Sequence, residues 1–381
     1  MLKKIKILLI TERRADYSRF KPILELIKKH KKINYYLLVT GLHLLKEHGL
    51  TINEIKKDGF IIHNKINMFK KKLKGDGASM VVSMANVMKN LPKILNKIKP
   101  DLILSGFDIG ANFSLVITAA HMNIPVAHIQ GGELSGSIDE SLRHSMSKFS
   151  NFHFVSNNDA KKRLIKMGEF KKNIYVVGCP SIDALKSVKE EKLVNLNKKF
   201  NFNFVKKFIC MLQHPVTSEN FSSNFQISQT LKALKLSNIP SFIIMPNNDS
   251  GYMNIVKSIK SSKFKWTYHL SLAEYKTVLK KCSLLIGNSS SGIHEAATYK
   301  KPVINIGTRQ INRLKSKNVI DVKCNYKDIL KKIKFCLSNK KFQKDLIKIR
   351  NLYGTGNSAK KMIKIIENLN LKINTQKINT Y

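Results

Sequence analysis

The sequence has few acidic residues, no paired cysteines and no long apolar runs. Lys and Arg number 68, whereas Asp and Glu number 25. The five cysteines are scattered without a CxxC pair, which indicates neither a disulfide framework nor a zinc site and fits a reducing compartment. The first apolar stretch, residues 7–10, is too short for a signal peptide. No segment approaches the ~20 apolar residues of a transmembrane helix. We therefore expect a soluble cytoplasmic protein.

The net charge of +43 has two explanations. It could mark a protein that binds nucleic acid, an anionic membrane surface or an acidic substrate. It could also reflect biased composition, because lysine accompanies asparagine and isoleucine along the whole chain. Only Lys70 to Lys74 forms a dense run, and aromatic residues do not alternate with basic ones as a base-stacking surface requires. We favour biased composition, with no nucleic-acid or membrane partner and some attraction of a phosphorylated substrate.

Familiar catalytic signatures are also missing, since the chain contains no HExxH and no dinucleotide-binding GxGxxG. Short apolar runs instead alternate with amphipathic stretches, such as 20–30, 78–97 and 113–121. This alternation predicts α/β domains with doubly wound parallel sheets, and 381 residues suffice for two of them. The predicted strands are 5–11, 35–40, 102–105, 125–129, 152–155, 174–177, 208–213, 241–245, 284–287, 303–306 and 319–322.

Three clusters follow predicted strands, where ligands gather in such sheets. The first, residues 11–19, places three arginines between a strand and a helix and suits an anion. It could equally be a solvated turn in which Asp16 or Ser18 caps the helix. The second is the sequence GNSSSG at 287–292, whose small residues and hydroxyls suit a phosphate. It could also be an ordinary serine-rich helix N-cap.

The third cluster joins the sequence HIQGGE at 128–133 to IDESLRH at 138–144. On a helix, Asp139 and Arg143 share one face, and a carboxylate held beside a guanidinium can act as a base. The alternative is a simple ion pair on a helix surface. Asp108, His214 and the loops at 246–249 and 307–310 also follow predicted strands, although a lone histidine in such a place is more often structural.

Taken together and in this order, these residues resemble the hydrolysing branch of the UDP-N-acetylglucosamine 2-epimerase family. RRADYS, IDESLRH and GNSSSGIHEA followed by VINIGTRQ carry the resemblance, which extends over residues 10–359. It implies two Rossmann-like domains of the glycosyltransferase-B type that face a cleft. The implied domains are residues 1–182, with a C-terminal helix at 358–381 packing back on them, and a nucleotide-binding domain at 183–357.

The resemblance also implies a reaction. UDP leaves UDP-N-acetylglucosamine by anti elimination, and water then adds to the 2-acetamidoglucal to give N-acetylmannosamine. Such a hydrolase serves amino-sugar and sialic-acid synthesis without a metal or other cofactor, and is expected to be a homodimer or homotetramer. The same chemistry on a UDP- or GDP-linked diacetamido-trideoxyhexose is the alternative. A basic protein that binds nucleic acid or an anionic surface is the alternative from another class.

By position, the resemblance assigns Asp108 and Asp139 as the acid/base pair, with Arg143 as a neighbour of Asp139. His214 would lie against the diphosphate. The residues that would contact the UDP-sugar are Arg14, Ser18, Arg19, His43, Gln130, Asn247, Ser289, Ser290, Glu295 and Arg309.

Three departures from the family pattern accompany these matches. Phe107-Asp108-Ile109 stands where the family has Gly-Asp-Arg, so an arginine directed at phosphate is missing. Gln130 occupies the position of a third catalytic glutamate, and a glutamine cannot exchange a proton at neutral pH. Glu133, three residues later, is the carboxylate that the chain offers instead. Arg19 stands where a lysine is usual.

Overall fold

The chain divides into two compact units. The computed structural model describes residues 4–69, 76–108 and 110–380. The lysine run at 70–74 and Ile109 therefore lie outside the described residues. The first unit holds the described residues of Met1–Glu133, Asp139–Ala184 and Tyr353–Tyr381, and the second holds Leu134–Ile138 and Leu185–Leu352.

Each unit contains one parallel sheet among the described residues. The first sheet has the order β3-β2-β1-β4-β5-β6-β7 and the second has the order β10-β9-β8-β11-β12-β13. The strands are β1 (Ile5–Thr11), β2 (Ile33–Thr40), β3 (Asn64–Ile66), β4 (Leu102–Gly106), β5 (Val126–Ile129), β6 (Phe152–Val155), β7 (Ile174–Val176), β8 (Ile209–Leu212), β9 (Ser241–Ile244), β10 (Lys265–Thr267), β11 (Leu284–Gly287), β12 (Val303–Ile306) and β13 (Val319–Val322).

Helices cover the sheets between these strands. They are α1 (Arg14–Lys28), α2 (Ile52–Lys57), α3 (Gly77–Ile98), α4 (Gly110–His121), α5 (Ile138–Phe149), α6 (Asn158–Lys166), α7 (Pro180–Ser187), α8 (Leu193–Phe200), α9 (Ser223–Ser237), α10 (Tyr252–Lys260), α11 (Leu272–Lys281), α12 (Ser290–His294), α13 (Tyr326–Ser338), α14 (Lys340–Lys348) and α15 (Ser358–Ile366).

The prediction of doubly wound α/β sheets is confirmed, because every strand pairing in both sheets is parallel. The sequence missed the two edge strands β3 and β10. Each is only three residues long and mostly exposed or half-buried, so neither contains the apolar run that marks a buried parallel strand.

Both faces of each sheet are buried. In β1, Ile7 and Leu9 belong to one core cluster and Leu8 and Ile10 to another, as the two-residue period of a strand requires. Adjacent residues of the second sheet divide in the same way between two clusters. Burial on both faces explains why the strands read as continuous apolar runs.

The C-terminal helix α15 belongs to the first unit. Its residues Met362, Ile363 and Ile366 join the core cluster that includes Ile7 of β1. The carboxylate of Asp183 accepts hydrogen bonds from the hydroxyl of Ser358, at 2.6 Å, and from the following backbone amide, at 2.9 Å. Asp183 thereby supplies partners for groups that the start of a helix leaves unpaired.

Candidate active site

Each sheet has one point where its strand order reverses. This point lies between β1 and β4 in the first sheet and between β8 and β11 in the second. Ligands of doubly wound folds bind outside the carboxyl ends of the strands at this point. Asp108 follows β4, and His214 and Ser289 follow β8 and β11. These three residues, which the sequence predicted, therefore lie at the carboxyl end of each sheet, where a ligand is expected.

The turn that carries Asp108 is held in an uncommon backbone conformation. Phe107 and Asp108 have φ values of 74° and 55°, in the left-handed region that favours glycine. The family's glycine would fit there without strain, whereas Phe107 adds a buried ring that packs edge-on against Phe20 at 4.9 Å. The guanidinium of Arg19 lies 5.1 Å from the centre of that ring. Two of the departures from the family pattern are thus in contact.

Arg143 on α5 is the centre of the charged groups in the first unit. Its side chain is buried and donates to Oδ2 of Asp108 at 2.5 Å and to the carbonyl oxygen of Glu133 at 2.6 Å. Burial alone would lower the pKa of this guanidinium. The charges of Asp108, Glu133 and Asp139 outweigh burial and raise the pKa above its usual value. All three predicted carboxylates therefore act on one guanidinium.

The sequence paired Arg143 with Asp139, its neighbour at four residues' distance. The structure adds Asp108 as a direct partner, which helical spacing could not reveal because 35 residues separate the two in the chain.

Glu133 is a buried carboxylate with its own hydrogen-bond donors. Its Oε1 accepts from the hydroxyl of Ser156 at 2.7 Å and from Nε2 of Gln130 at 3.1 Å. Gln130 also has a left-handed backbone, with φ of 62°. The glutamine at the family's glutamate position thus contacts the carboxylate three residues later. Ser156 follows β6 and was not a candidate from the sequence.

The predicted turn at residues 11–19 proves to be mostly helix, since α1 begins at Arg14. Both oxygens of Asp16 accept backbone amides, from Glu12 at 2.8 Å and from Arg13 at 2.9 Å, and this capping starts the helix early. Burial raises the pKa of Asp16 to about 6. Ser18 therefore lies within α1, where its hydroxyl donates to a backbone carbonyl at 3.0 Å.

Two further contacts fix the first turn of α1 and its surroundings. Arg14 donates to Oε2 of Glu54 at 3.0 Å. Oε2 of Glu12 accepts the amide of Ala111 at 3.0 Å. This bond ties the end of β1 to the first turn of α4, just beyond Asp108. The sequence analysis did not identify Glu12 as a candidate.

His43, which the resemblance placed among the substrate contacts, has a fully buried side chain. Its Nε2 lies 3.0 Å from the hydroxyl of Thr11 and its Nδ1 lies 2.7 Å from that of Thr51. Burial lowers the pKa of His43 to about 3, so the ring is neutral. With both nitrogens engaged, His43 links β1 to the start of α2.

In the second unit, Asn288 ties together the two strand ends at the reversal point. Its Oδ1 accepts the amide of His214 at 2.7 Å and its Nδ2 donates to the carbonyl of His214 at 2.8 Å. Nδ1 of His214 accepts the backbone amide of Asn247 at 3.0 Å. The proton of a neutral His214 ring therefore lies on Nε2, which makes that nitrogen a donor.

The loop after β11 approaches its neighbour very closely. A Cβ at Gly287, where φ is 130°, would lie 2.0 Å from the carbonyl oxygen of Leu212, so only glycine fits. Ser289 and Ser290 are half-buried, and Ser289 is the N-cap of the short helix α12. Both the phosphate-loop and the N-cap interpretations fit this arrangement.

Glu295 and Arg309 complete the predicted residues of this unit. Oε2 of Glu295 accepts from the hydroxyl of Ser291 at 2.5 Å. Arg309 donates to the carbonyl of Asn288 at 3.4 Å and lies 3.7 Å from Oδ2 of Asp249. The guanidinium is thus positioned at the carboxyl end of the sheet.

The part of the chain that the structure describes contains no group of three His, Cys, Asp or Glu side chains suited to a metal ion. None of the helices in the described ranges is long and apolar enough to cross a membrane.

Known proteins resemble this chain over nearly its full length. Residues 25–367 match the family described as UDP-N-acetylglucosamine 2-epimerase. The chain is 33% identical over 370 residues to the UDP-N,N'-diacetylbacillosamine 2-epimerase (hydrolyzing) of Legionella pneumophila, covering 96% of each chain. It is 33% identical over 343 residues to the UDP-N-acetylglucosamine 2-epimerase of Neisseria meningitidis serogroup B, covering 89% of each.

A solved structure shows the same fold. The UDP-GlcNAc 2-epimerase from Neisseria meningitidis bound to UDP-GlcNAc superposes with a TM-score of 0.81 at 19% identity, covering 96% of this chain and 100% of that chain.

Proposed function

Because the chain belongs to the UDP-N-acetylglucosamine 2-epimerase family, we propose that this enzyme hydrolyses a UDP-linked 2-acetamido sugar with inversion at C2. The observation that carries the proposal is the buried guanidinium of Arg143. It binds Asp108 directly and is acted on by the charges of Glu133 and Asp139. A cluster of this kind gathers several acid/base groups at the edge of one sheet.

The reaction has two steps. A carboxylate removes the C2 proton while the bond from C1 to the diphosphate oxygen breaks, and the electron pair of that bond leaves with UDP. Water then adds across the C1–C2 double bond of the 2-acetamidoglucal, which places a hydroxyl on C1 and a proton on C2. The new proton enters C2 from the face opposite to the one that lost the original proton, so C2 is inverted. The C2 hydrogen is not beside a carbonyl, so the base must be firmly positioned and the leaving group stabilised.

The first unit supplies the acid/base groups in this proposal. Asp108 and Asp139 exchange protons with the sugar, and Arg143 fixes the position of Asp108. Glu133 takes the place of the family's third carboxylate, since Gln130 cannot carry a proton. The hydrogen bond from Gln130 to Glu133 supports this assignment.

The groups that hold the nucleotide come mainly from the second unit. The backbone amides of Ser289 and Ser290 and the guanidinium of Arg309 would bind the diphosphate. His214 would add its Nε2 donor, because Nδ1 already accepts a backbone amide. Glu295 would bind the ribose hydroxyls.

From the first unit, Arg14 and Ser18 would add contacts to the UDP. From the second unit, Asn247 would also contact the substrate. His43 would act indirectly, by fixing Thr11 at the end of β1.

Two sugars fit the proposal equally well. The relatives at 33% identity are named for UDP-N,N'-diacetylbacillosamine and for UDP-N-acetylglucosamine. A GDP-linked sugar is a further alternative. The proposal includes a homo-oligomeric enzyme of the cytoplasm that feeds sialic- or legionaminic-type synthesis and needs no metal or nicotinamide.

Proton NMR of the products from a panel of UDP- and GDP-linked amino sugars tests this proposal. We expect free UDP and a free, C2-inverted sugar from one of the two UDP-linked substrates. A C2 epimer that remains attached to UDP would contradict the hydrolytic step. No turnover with any sugar, together with retention on heparin at physiological salt, would favour a binding protein instead.

A further inference from the structure

The C-terminal tail, defined as residues 370–380, follows α15 without helix or strand and lies against the last turn of α5. We propose that Lys377 in this tail is a positioning residue for the reaction, because it caps the helix that carries Asp139 and Arg143. The inference rests on the proposed function, since it assumes that these two residues serve the reaction.

Lys377 reaches the last turn of α5, where the carbonyl of Ser147 also accepts the backbone amide of Ser150 at 3.1 Å. Its Nζ donates to the carbonyl oxygen of Ser147 in the last turn of α5 at 2.9 Å, and it forms an ion pair with Glu169. The final carbonyls of a helix lack intrahelical donors, and a cation near them is stabilising. Burial outweighs the attraction of Glu169 and lowers the pKa of Lys377, which agrees with a side chain inserted into the unit.

The tail holds the same helix end at a second point. Nζ of Lys148 in α5 donates to Oδ1 of Asn379 at 2.7 Å and lies 3.2 Å from Oε1 of Glu169. The backbone amide of Thr380 donates to the carbonyl of Gly168 at 3.2 Å. These bonds connect α5 to the tail and to the loop after α6.

Hydrogen bonds lead from this helix end to Arg143. The hydroxyl of Ser147, whose carbonyl binds Lys377, donates to the carbonyl of Arg143 at 3.1 Å and lies 3.0 Å from Nδ1 of His128. Ser147 and His128 are fully buried. An α-helix rises 1.5 Å per residue, so a shift of α5 by a fraction of a turn displaces Asp139 and Arg143 together. A displacement of about 1 Å can reduce catalysis ~100-fold.

The attachment of the tail does not depend on Lys377 alone. Leu371 and Ile373 pack against the main core of the first unit, so the tail retains apolar contacts when the lysine is replaced. Lys377, Glu169 and Phe170 also line a pocket of about 380 Å³. Replacing the lysine therefore leaves the tail attached and removes mainly its polar contacts with Ser147 and Glu169.

The test compares Lys377→Met with Lys377→Arg and with the control Lys372→Met. The control changes the same charge at an exposed position of the same tail. We expect Lys377→Met to lower kcat ~10- to 100-fold while KM and the Kd for UDP stay within about twofold. Hydrogen exchange of the amides in the last turn of α5 should accelerate. Lys377→Arg should restore most of kcat, and Lys372→Met should match the unaltered chain.

Equal kcat values for Lys377→Met and Lys372→Met, or unchanged exchange in α5, would overturn the proposal. Should the methionine variant fail to fold, Lys377→Gln is measured by the same criteria. Absence of sugar turnover in the unaltered chain would count against the proposed function, and the exchange measurement would still show whether Lys377 holds α5.

Discussion

The two units share one architecture but carry different chemical groups at the carboxyl ends of their sheets. In the first unit this end of the sheet carries charged groups, because the buried guanidinium of Arg143 donates to the carboxylate of Asp108 and to the backbone carbonyl of Glu133. In the second it carries mainly neutral hydrogen-bonding groups, such as Asn288 and Ser289, near the guanidinium of Arg309. The same topology can thus serve proton transfer in one unit and anion binding in the other.

This difference implies that the two functions can be separated by mutation. Changes in the first unit should alter kcat, because acid/base groups act mainly in the transition state. Changes in the second should alter nucleotide affinity, because in the proposed mechanism its groups would bind the diphosphate before and during the reaction.

The largest effect is expected from Asp139→Asn. Removing a general base lowers the rate by ~10²–10⁴, so we expect kcat to fall about 1,000-fold while the Kd for UDP is unchanged. Glu140→Gln is the matched control, because it removes the next carboxylate of α5, which lies 3.8 Å from His144. Coupled UDP-release kinetics and calorimetry provide the two measurements. Equal loss in both variants would contradict the role of Asp139.

A smaller loss, roughly 100-fold in kcat, is expected from Glu133→Gln. The double variant Gln130→Glu/Glu133→Gln returns a carboxylate to the family's position and keeps an amide beside it. We expect it to recover part of the lost rate. Steady-state kinetics across pH measures both variants. Full activity of Glu133→Gln would remove Glu133 from the acid/base set.

Arg309→Ala should weaken nucleotide binding, the function proposed for the second unit, and leave the acid/base chemistry of the first unit intact. Hydrogen bonds to charged groups contribute about 1.5–3 kcal/mol, so the Kd for UDP should rise roughly 10- to 100-fold. At saturating substrate, kcat should change little. Lys323→Ala, at an exposed position of the same unit, controls for the loss of charge. A normal Kd for UDP in Arg309→Ala would place the diphosphate elsewhere.

The acid stability of the first unit depends on Glu169. Burial would raise the pKa of this carboxyl, but His153 of β6 and Lys377 of the tail, with Lys148 of α5 nearby, lower it to about 2. A lowered carboxyl pKa adds stability above the unfolded value of 4.5 that is lost as pH falls towards 2. Glu169→Gln should therefore lower the free energy of unfolding by roughly 1–3 kcal/mol near pH 6, and less near pH 3.

Thermal unfolding of both proteins between pH 3 and pH 7 measures this difference. A stability gap that stays constant with pH would show that the charge of Glu169 is not its source.

The smallest effect concerns the contact between Arg19 and Phe107. A cation near an aromatic ring contributes about 0.5–1 kcal/mol at partly exposed sites, so Arg19→Ala should lower the free energy of unfolding by that amount. Arg19→Lys should lower it by less. In the Phe107→Leu background the effect of Arg19→Ala should shrink, which a double-mutant cycle of denaturant unfolding would show. Additive effects would mean that the two residues do not interact.

Local patterns in the sequence predicted most of the sheets. Strands such as β1 and β11 are buried on both faces and read as apolar runs, whereas the polar edge strand β3 does not. The start of α1 was placed too late, because its capping depends on Asp16 folding back onto two preceding amides. The sequence offered Asp16 as a cap in front of the helix, whereas Asp16 is the third residue of α1 and caps it from within.

Long-range contacts were the part of the site that the sequence could not reveal. Helical spacing put Asp139 and Arg143 on one helix, but the partnership of Arg143 with Asp108 crosses from α5 to the turn after β4. Likewise, nothing in the sequence connects Lys377 to α5, since 230 residues separate it from Ser147.

The central claim is that a carboxylate of the first unit removes the C2 proton as UDP departs. The most direct test is a reaction in deuterated water, followed by NMR of the released sugar. We predict one deuterium at C2 of every free sugar molecule formed, in step with UDP release. Release of UDP with the original hydrogen still at C2 would show plain glycosidic hydrolysis and contradict the account.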